Sequence, residues 1–157
     1  MINHPIPPVY DGNSKILILG SFPSVASREA EFFYGHKQNR FWRVLATVFD
    51  THVPESIEEK KIFLLKHGIA LWDVIGSCDI TGSSDSSIKN AVPNDISIIL
   101  DNTDIKNIYV NGKTALKYYN KYIRDKLNRE AICLPSTSPA NATWSLERLV
   151  DEWKIIL

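Results

Sequence analysis

KILILGSFPSVASREAEFFYGHKQNRFW, residues Lys15 to Trp42, is the stretch that decides the fold. Its aliphatic run Ile16-Leu17-Ile18-Leu19 is bounded by Gly20 and Pro23, as expected for a strand covered on both faces that delivers the chain to a tight loop. A ligand is expected at that loop. Beyond it, Phe32-Phe33-Tyr34 and His36 bring flat rings near an amide, Asn39, and a guanidinium, Arg40. From Phe41 the apolar spacing turns helical. Rings, amide and cation together suit a nucleobase.

Working outward, Phe41, Trp42, Val44, Leu45, Val48 and Phe49 form one apolar helical face. Asn39 stands where it could cap this helix at Arg40, since asparagine is favoured at helix starts. Ser56 followed by Glu59 has capping-box spacing and opens a helix that runs to about His67 and stops at Gly68. A strand follows over Ile69–Val74. The segment Gly76–Asp95 is rich in Gly, Ser and Asp and reads as a loop covering a site. A short helix is expected over Asp95–Leu100, a strand over Ile105–Val110 ending in Asn111-Gly112, and a helix over Thr114–Leu127 with a basic edge. Ala131–Leu134 reads as a fourth strand, and Ser145 as another capping-box start for a helix to Leu157. The Pro-rich lead-in Met1–Ser14 is expected to pack irregularly across the sheet edge and carries no motif.

This alternation predicts an α/β three-layer fold, α/β/α, with a central, mainly four-stranded parallel sheet and right-handed connections. Ligands in such folds bind outside the carboxyl ends of the strands. Here those ends are Gly20–Ser24, the loop after Val74, Asn111-Gly112 and Pro135–Asn141, which together predict one composite pocket.

At 157 residues the chain reads as one domain with ordinary soluble composition. Its 18 basic and 18 acidic residues cancel, so contact with nucleic acid must rest on a local patch rather than a global field. No segment has the pattern of a signal peptide or approaches the roughly 20 apolar residues of a membrane span, and a cytoplasmic location is expected. Cys78 and Cys133 read as free, buried thiols. The motifs of serine hydrolases, phosphate-binding loops, dinucleotide folds and zinc sites are missing. Of His4, His36, His52 and His67, only His36 falls in the leading stretch, and no metal site is indicated.

GSFPS at 20–24, YGHKQNRFW at 34–42, LWDV at 71–74, GSSDSSI at 82–88, VNGKTA at 110–115 and LPSTSPANA at 134–142 resemble the hypoxanthine-DNA glycosylases of the uracil-DNA glycosylase superfamily. The likeness spans nearly the whole chain. It implies one DNA glycosylase domain over residues 1–157, monofunctional and without cofactor, that hydrolyses the bond joining hypoxanthine to deoxyribose and leaves an abasic site. The implied partner is DNA carrying a deaminated base, met by a monomer, with no membrane involved. The HxxNRFW segment is also similar to the mismatch-specific uracil glycosylases, which are the nearest alternative. A non-catalytic nucleotide-binding module is the alternative from another class.

By this resemblance Asn39 is the main catalytic residue, its carbonyl oxygen orienting water, and Asn111 is a second functional amide. Phe22, Tyr34 and His36 would bind the base, with Tyr34 as the stacking platform. Ser24, Lys113 and the loop Ser136, Thr137, Ser138, Pro139, Ala140 and Asn141 would meet the DNA, Pro139 and Ala140 as the apolar wedge. Each position also has a plainer reading: Tyr34 as a core ring, Asn39 as a helix cap, Asn111-Gly112 as a turn, and Ser136–Asn141 as a polar turn. The chain departs from its uracil-specific relatives in carrying Phe22 where they have an Asp or Asn, Ser136-Thr137-Ser138 where they have a histidine, and Lys37 where proline is more frequent.

Overall fold

A computed structural model describes residues 1–157. In chain order the elements are β1 (Ile2–Asn3), β2 (Ile16–Gly20), α1 (Val25–Ala30), α2 (Phe41–Val48), α3 (Ile57–Lys66), β3 (Ile69–Asp73) and β4 (Ile75–Asp79). There follow β5 (Lys89–Pro93), α4 (Ser97–Leu100), β6 (Asn107–Asn111), α5 (Lys113–Tyr122), α6 (Arg124–Leu127), β7 (Ile132–Leu134) and α7 (Leu146–Trp153).

The centre is a four-stranded parallel sheet in the order β3-β2-β6-β7. Every residue of β2 and β3 is buried, as their unbroken apolar runs require of strands covered on both faces. The register sets Gly20 beside Asp73 and Asn111 beside Leu134, so the carboxyl ends of all four strands lie level. Helices flank this sheet, and a core of 39 buried hydrophobic residues joins the two.

Of two segments expected to be irregular, Gly76–Asp95 is largely ordered, while Met1–Ser14 is irregular apart from β1 and packs on the sheet edge through a bridge between Val9 and Leu71. The lead-in contributes β1, and Gly76–Asp95 contributes most of a hairpin, which together form a three-stranded antiparallel sheet in the order β1-β4-β5. Register shifts on both sides of Ser77 break the alternation that would have marked β4 as a strand. Only the tip, around a short 3-10 turn at Asp85–Ser87, remains a loop.

The first strand-end loop also holds a helix, α1, whose Ser24 hydroxyl accepts the Ser27 N–H. Helix α2 starts at Phe41, one residue later than expected, and Asn39 stands outside it, with its side-chain oxygen accepting the Phe41 N–H at 2.9 Å. The expected helix over Thr114–Leu127 is broken at Ile123 into α5 and α6. Ser56 and Ser145 each cap the helix that follows. At Ser145 the cap is one-sided, because the third helical position is Arg148, whose guanidinium lies 3.7 Å over the Trp144 ring instead of reaching back. Cys78 is buried as expected, whereas Cys133 is exposed on the edge strand β7.

Candidate active site at the carboxyl ends of the parallel strands

A cavity of about 550 Å³ opens where the strand ends converge, lined by Gly20, Phe22, Tyr34, His36, Asn39, Asp73, Asn111 and residues 136–140, with Ser83–Ser86 of the hairpin tip on the far side. Four of the five residues expected to touch the base or act on it are fixed by neighbours. Phe22 is buried and meets the His4 ring edge-on at 5.9 Å. Tyr34 adopts a left-handed backbone, φ 52°, unusual for an aromatic residue, and stacks on Phe41 with centroids 4.0 Å apart. Phe41 covers one face of Tyr34, and Tyr34 lines the cavity. His36 is exposed at the rim, its Nδ1 accepting the Gln38 N–H. Phe32 and Phe33, by contrast, belong to the core.

The two amides are joined through Thr137. Thr137 Oγ1 donates to Asn39 Oδ1 at 2.9 Å and accepts from Asn111 Nδ2 at 3.0 Å, while the Thr137 N–H donates to Asn111 Oδ1 at 3.1 Å. Asn111 Nδ2 also donates to the Tyr34 hydroxyl at 3.2 Å. Because the backbone N–H groups of Phe41 and Thr137 can only donate, they fix which end of each amide is oxygen.

Two expectations change as a result. Both lone pairs of Asn39 Oδ1 are taken, so Asn39 presents its N–H group to the cavity, not its carbonyl oxygen. Asn111 has both amide hydrogens engaged inside the protein and therefore holds Tyr34 and Thr137 in place instead of offering a donor to a base.

The last loop also divides. Thr137, expected on the DNA face, is fully buried in this network. Asn141 faces inward, its Nδ2 donating to the Ser136 carbonyl. The Ser136 and Ser138 hydroxyls each accept a backbone N–H from within the loop, which leaves their own hydrogens free to donate outward. Pro139 and Ala140 line the cavity beside them. Arg40 ties the loop down: its backbone N–H donates to Thr137 O, and its guanidinium donates to the carbonyls of Ser138, Asn141 and Trp144. Lys113 is exposed at the start of α5, outside the cavity wall, and Ser24 serves as the α1 cap.

Three acidic or imidazole groups of the site were not singled out from the sequence. Asp73, at the end of β3, is buried beside the cavity, and its Oδ2 accepts from His4 Nε2 at 2.7 Å. A Cβ on Gly20 would fall 2.4 Å from Asp73 Oδ1 and 2.9 Å from the Tyr34 hydroxyl, so only glycine lets these two oxygens come so close to the strand. Asp85, on the hairpin tip, is exposed as a residue, but its carboxyl turns inward toward the Ser21 hydroxyl. Desolvation pushes its pKa up, hydrogen bonds from Thr114 and Ser21 oppose this, and the Asp73 charge adds to it. Burial, reinforced by Asp73, also raises the pKa of the Tyr34 phenol, which stays a neutral hydroxyl. The signal for Asp73 lay in the motif LWDV; for His4, 69 residues away, there was none.

A family model described as the uracil DNA glycosylase superfamily matches residues 7–156. A protein of Methanosarcina acetivorans named hypoxanthine DNA glycosylase is 35% identical over 158 residues, covering 99% of this chain and 98% of that one. A protein of the same name from Methanosarcina barkeri is 35% identical over 137 residues, 86% of this chain and 85% of its own. A solution NMR structure of an M. acetivorans protein, described as a candidate uracil DNA glycosylase, superposes with a TM-score of 0.84 at 34% identity, over 99% of this chain and 96% of that one.

Proposed function

The chain belongs to the uracil DNA glycosylase superfamily, and from that premise we propose that it excises hypoxanthine from DNA, as a monofunctional glycosylase that leaves an abasic site. The observation that carries this reading is the Asn39–Thr137–Asn111 network, which leaves the Asn39 N–H group open to the cavity, beside the Tyr34–Phe41 stack at the strand ends. A polar network and a flat ring thus adjoin in one cavity, joined by the bond from Asn111 to the Tyr34 hydroxyl.

The base has to leave the helical stack before its glycosidic bond can be reached, at a cost of a few kcal/mol that is smallest where pairing is already defective. Stacking on an aromatic ring offsets about 1 to 3 kcal/mol of this, and Tyr34 is the platform, with Phe22 adding apolar surface and His36 at the rim. The bond from C1′ to N9 then breaks, its electron pair departing on the purine while positive charge develops on the sugar. Water adds to C1′ and releases its proton. Asn39, presenting N–H, stabilises the charge gathering on the leaving base, and Asn111 acts by holding Tyr34 and Thr137.

On the DNA side, Ser136 and Ser138 donate to phosphates, Lys113 and Ser24 flank them, and Pro139 with Ala140 fills the space the base vacates. The substrate partner is DNA containing a deaminated base. We take it to act as a monomeric single domain, and no helix is long and apolar enough to cross a membrane.

The test is to incubate the protein, without added metal, with otherwise identical duplexes carrying deoxyinosine, deoxyuridine or no lesion, and to assay abasic sites. Robust hypoxanthine release with little uracil release is expected. Faster uracil release would favour the mismatch-uracil reading, and no release from any duplex would favour a nucleotide-binding module.

A further inference from the structure

Apart from Lys113, the basic edge of the helical segment Lys113–Arg129 has no part in the scheme above. Six of the chain's 18 basic residues but only one of its 18 acidic ones, Asp125, fall in this segment, which leaves the rest of the chain five charges negative. A chain that is neutral overall can meet a polyanion only through such a local excess. Two of the six are spent inside the protein. Arg124 Nε pairs with Asp125 at 3.3 Å, and the Arg129 guanidinium donates to the carbonyls of Ile105 and Lys106, each at 3.1 Å. Lys113, Lys117, Lys121 and Lys126 remain, all exposed and none ion-paired.

Four-residue spacing puts Lys113, Lys117 and Lys121 on one side of α5, each step advancing about 6 Å along the axis. Ala115, Tyr118 and Tyr119 turn into the core. Tyr118 and Tyr122 stack parallel with centroids 6.1 Å apart, and their rings support the lysines beside them: Lys117 Nζ lies 5.3 Å from the Tyr118 centroid and Lys121 Nζ 5.1 Å from that of Tyr122. Lysines laid along rings are held in place and lose less rotamer freedom on contact. Lys126, on α6, shares the wall of a surface cavity with Tyr122, which places it next to the row. At its other end the row reaches the strand-end loops. Gly112, just before Lys113, lies so near Ser136 that a Cβ on it would fall 3.0 Å from the Ser136 Cβ.

This face suits a phosphodiester backbone. No large apolar side chain is exposed on α5 or α6 to anchor a protein partner. An ammonium on a flexible stem is a point charge suited to phosphate, and phosphate contacts carry no sequence information. We propose that Lys117, Lys121 and Lys126 extend Lys113 into a second DNA-contact surface, which holds backbone phosphates of the duplex away from the damaged nucleotide. The inference rests on the glycosylase reading for its partner and deepens it by locating where the DNA is held outside the cavity. Such a hold is independent of the lesion, so the protein stays on undamaged DNA while the cavity meets successive bases.

The test measures affinity for an undamaged duplex over a range of salt concentrations, together with hypoxanthine release from a deoxyinosine duplex. One variant combines Lys117→Gln, Lys121→Gln and Lys126→Gln. A control combines Lys61→Gln, Lys66→Gln and Lys154→Gln, three exposed lysines outside this segment, with the same change in net charge. Each phosphate contact contributes about 0.9 to the slope of log affinity against log salt, so the first variant should lose about two to three units of slope and the control about none. Its hypoxanthine release should slow at limiting protein and recover as the protein concentration is raised. Lys117→Arg, Lys121→Arg and Lys126→Arg together keep the charge and should keep the slope. An unchanged slope in the first variant, an equal loss in the control, or a loss in the arginine variant would each overturn the inference. If the triple glutamine variant fails to fold by circular dichroism, Lys121→Gln alone decides the matter through a loss of about one unit. Hypoxanthine release with all slopes equal would overturn this surface alone, whereas the expected slopes without release would overturn the glycosylase reading and leave the DNA-contact surface standing.

Discussion

The two ends of the parallel sheet each hold a histidine among aromatic rings, and they have little else in common. At the carboxyl end, His4 spends both ring nitrogens on hydrogen bonds and stands behind a buried carboxylate, and Asn111 and Thr137 at the same end are buried and hydrogen-bonded. At the amino end, His67 stacks on Phe49 and lies against a tilted Phe63, with centroids 4.2 and 4.7 Å away and no carboxylate partner. Burial and the neighbouring Lys66 charge both lower its pKa, so the fold favours its neutral ring. Buried polar groups are costly unless every one is satisfied. Their concentration at a single end therefore marks that end as the one with chemistry to do, whereas rings alone mark only a core.

The comparison breaks most sharply at Asn39. Asn39→Ala should lower single-turnover base release by about 100- to 10,000-fold, or roughly 3 to 5 kcal/mol, with the fold retained. A rate close to that of the unaltered protein would leave Asn39 as no more than the acceptor for the Phe41 N–H, and the carboxyl end would lose its claim to be special.

A middling effect is expected at Thr137. Thr137→Val keeps the volume but strips the hydroxyl that links the two amides, leaving Asn39 Oδ1 and Asn111 Nδ2 each short of a partner. Urea unfolding should show a loss of about 1 to 3 kcal/mol, accompanied by slower base release. An unchanged midpoint would show that the amides do not depend on one another.

The smallest effect belongs to the amino end. With its folded pKa lowered, His67 contributes stability that is complete above the usual histidine value of 6.5 and is lost as pH falls below it, because the unfolded chain binds the proton first. Thermal unfolding between pH 7 and pH 5 should show this as a small decline in stability, flattened in His67→Gln, while base release at pH 7 stays unchanged. A large loss of activity in that variant would erase the distinction between the ends.

The sequence made the sheet legible where a segment is buried on both faces, as in Ile16–Leu19, and where a helix has one apolar stripe, as in Phe41–Phe49. It hid the β4–β5 hairpin, because a bulged strand built from Gly76, Ser77 and Asp79 has the composition of a loop. Tyr34, Asn39 and Asn111 were legible as polar or aromatic residues at strand and helix ends. Which atom each turns toward the cavity was not, since that depends on Thr137, 98 residues from Asn39 and 26 from Asn111. His4 was passed over because a pairing across 69 residues leaves no local pattern.

Arg40, with one guanidinium and one backbone N–H on four carbonyls of the segment Thr137–Trp144, has a kinetic consequence. On the proposed reading this loop meets DNA already ordered by folding, so docking would cost it little conformational entropy. Capture would then be paced by the opening of the weakened base pair more than by closure of the protein.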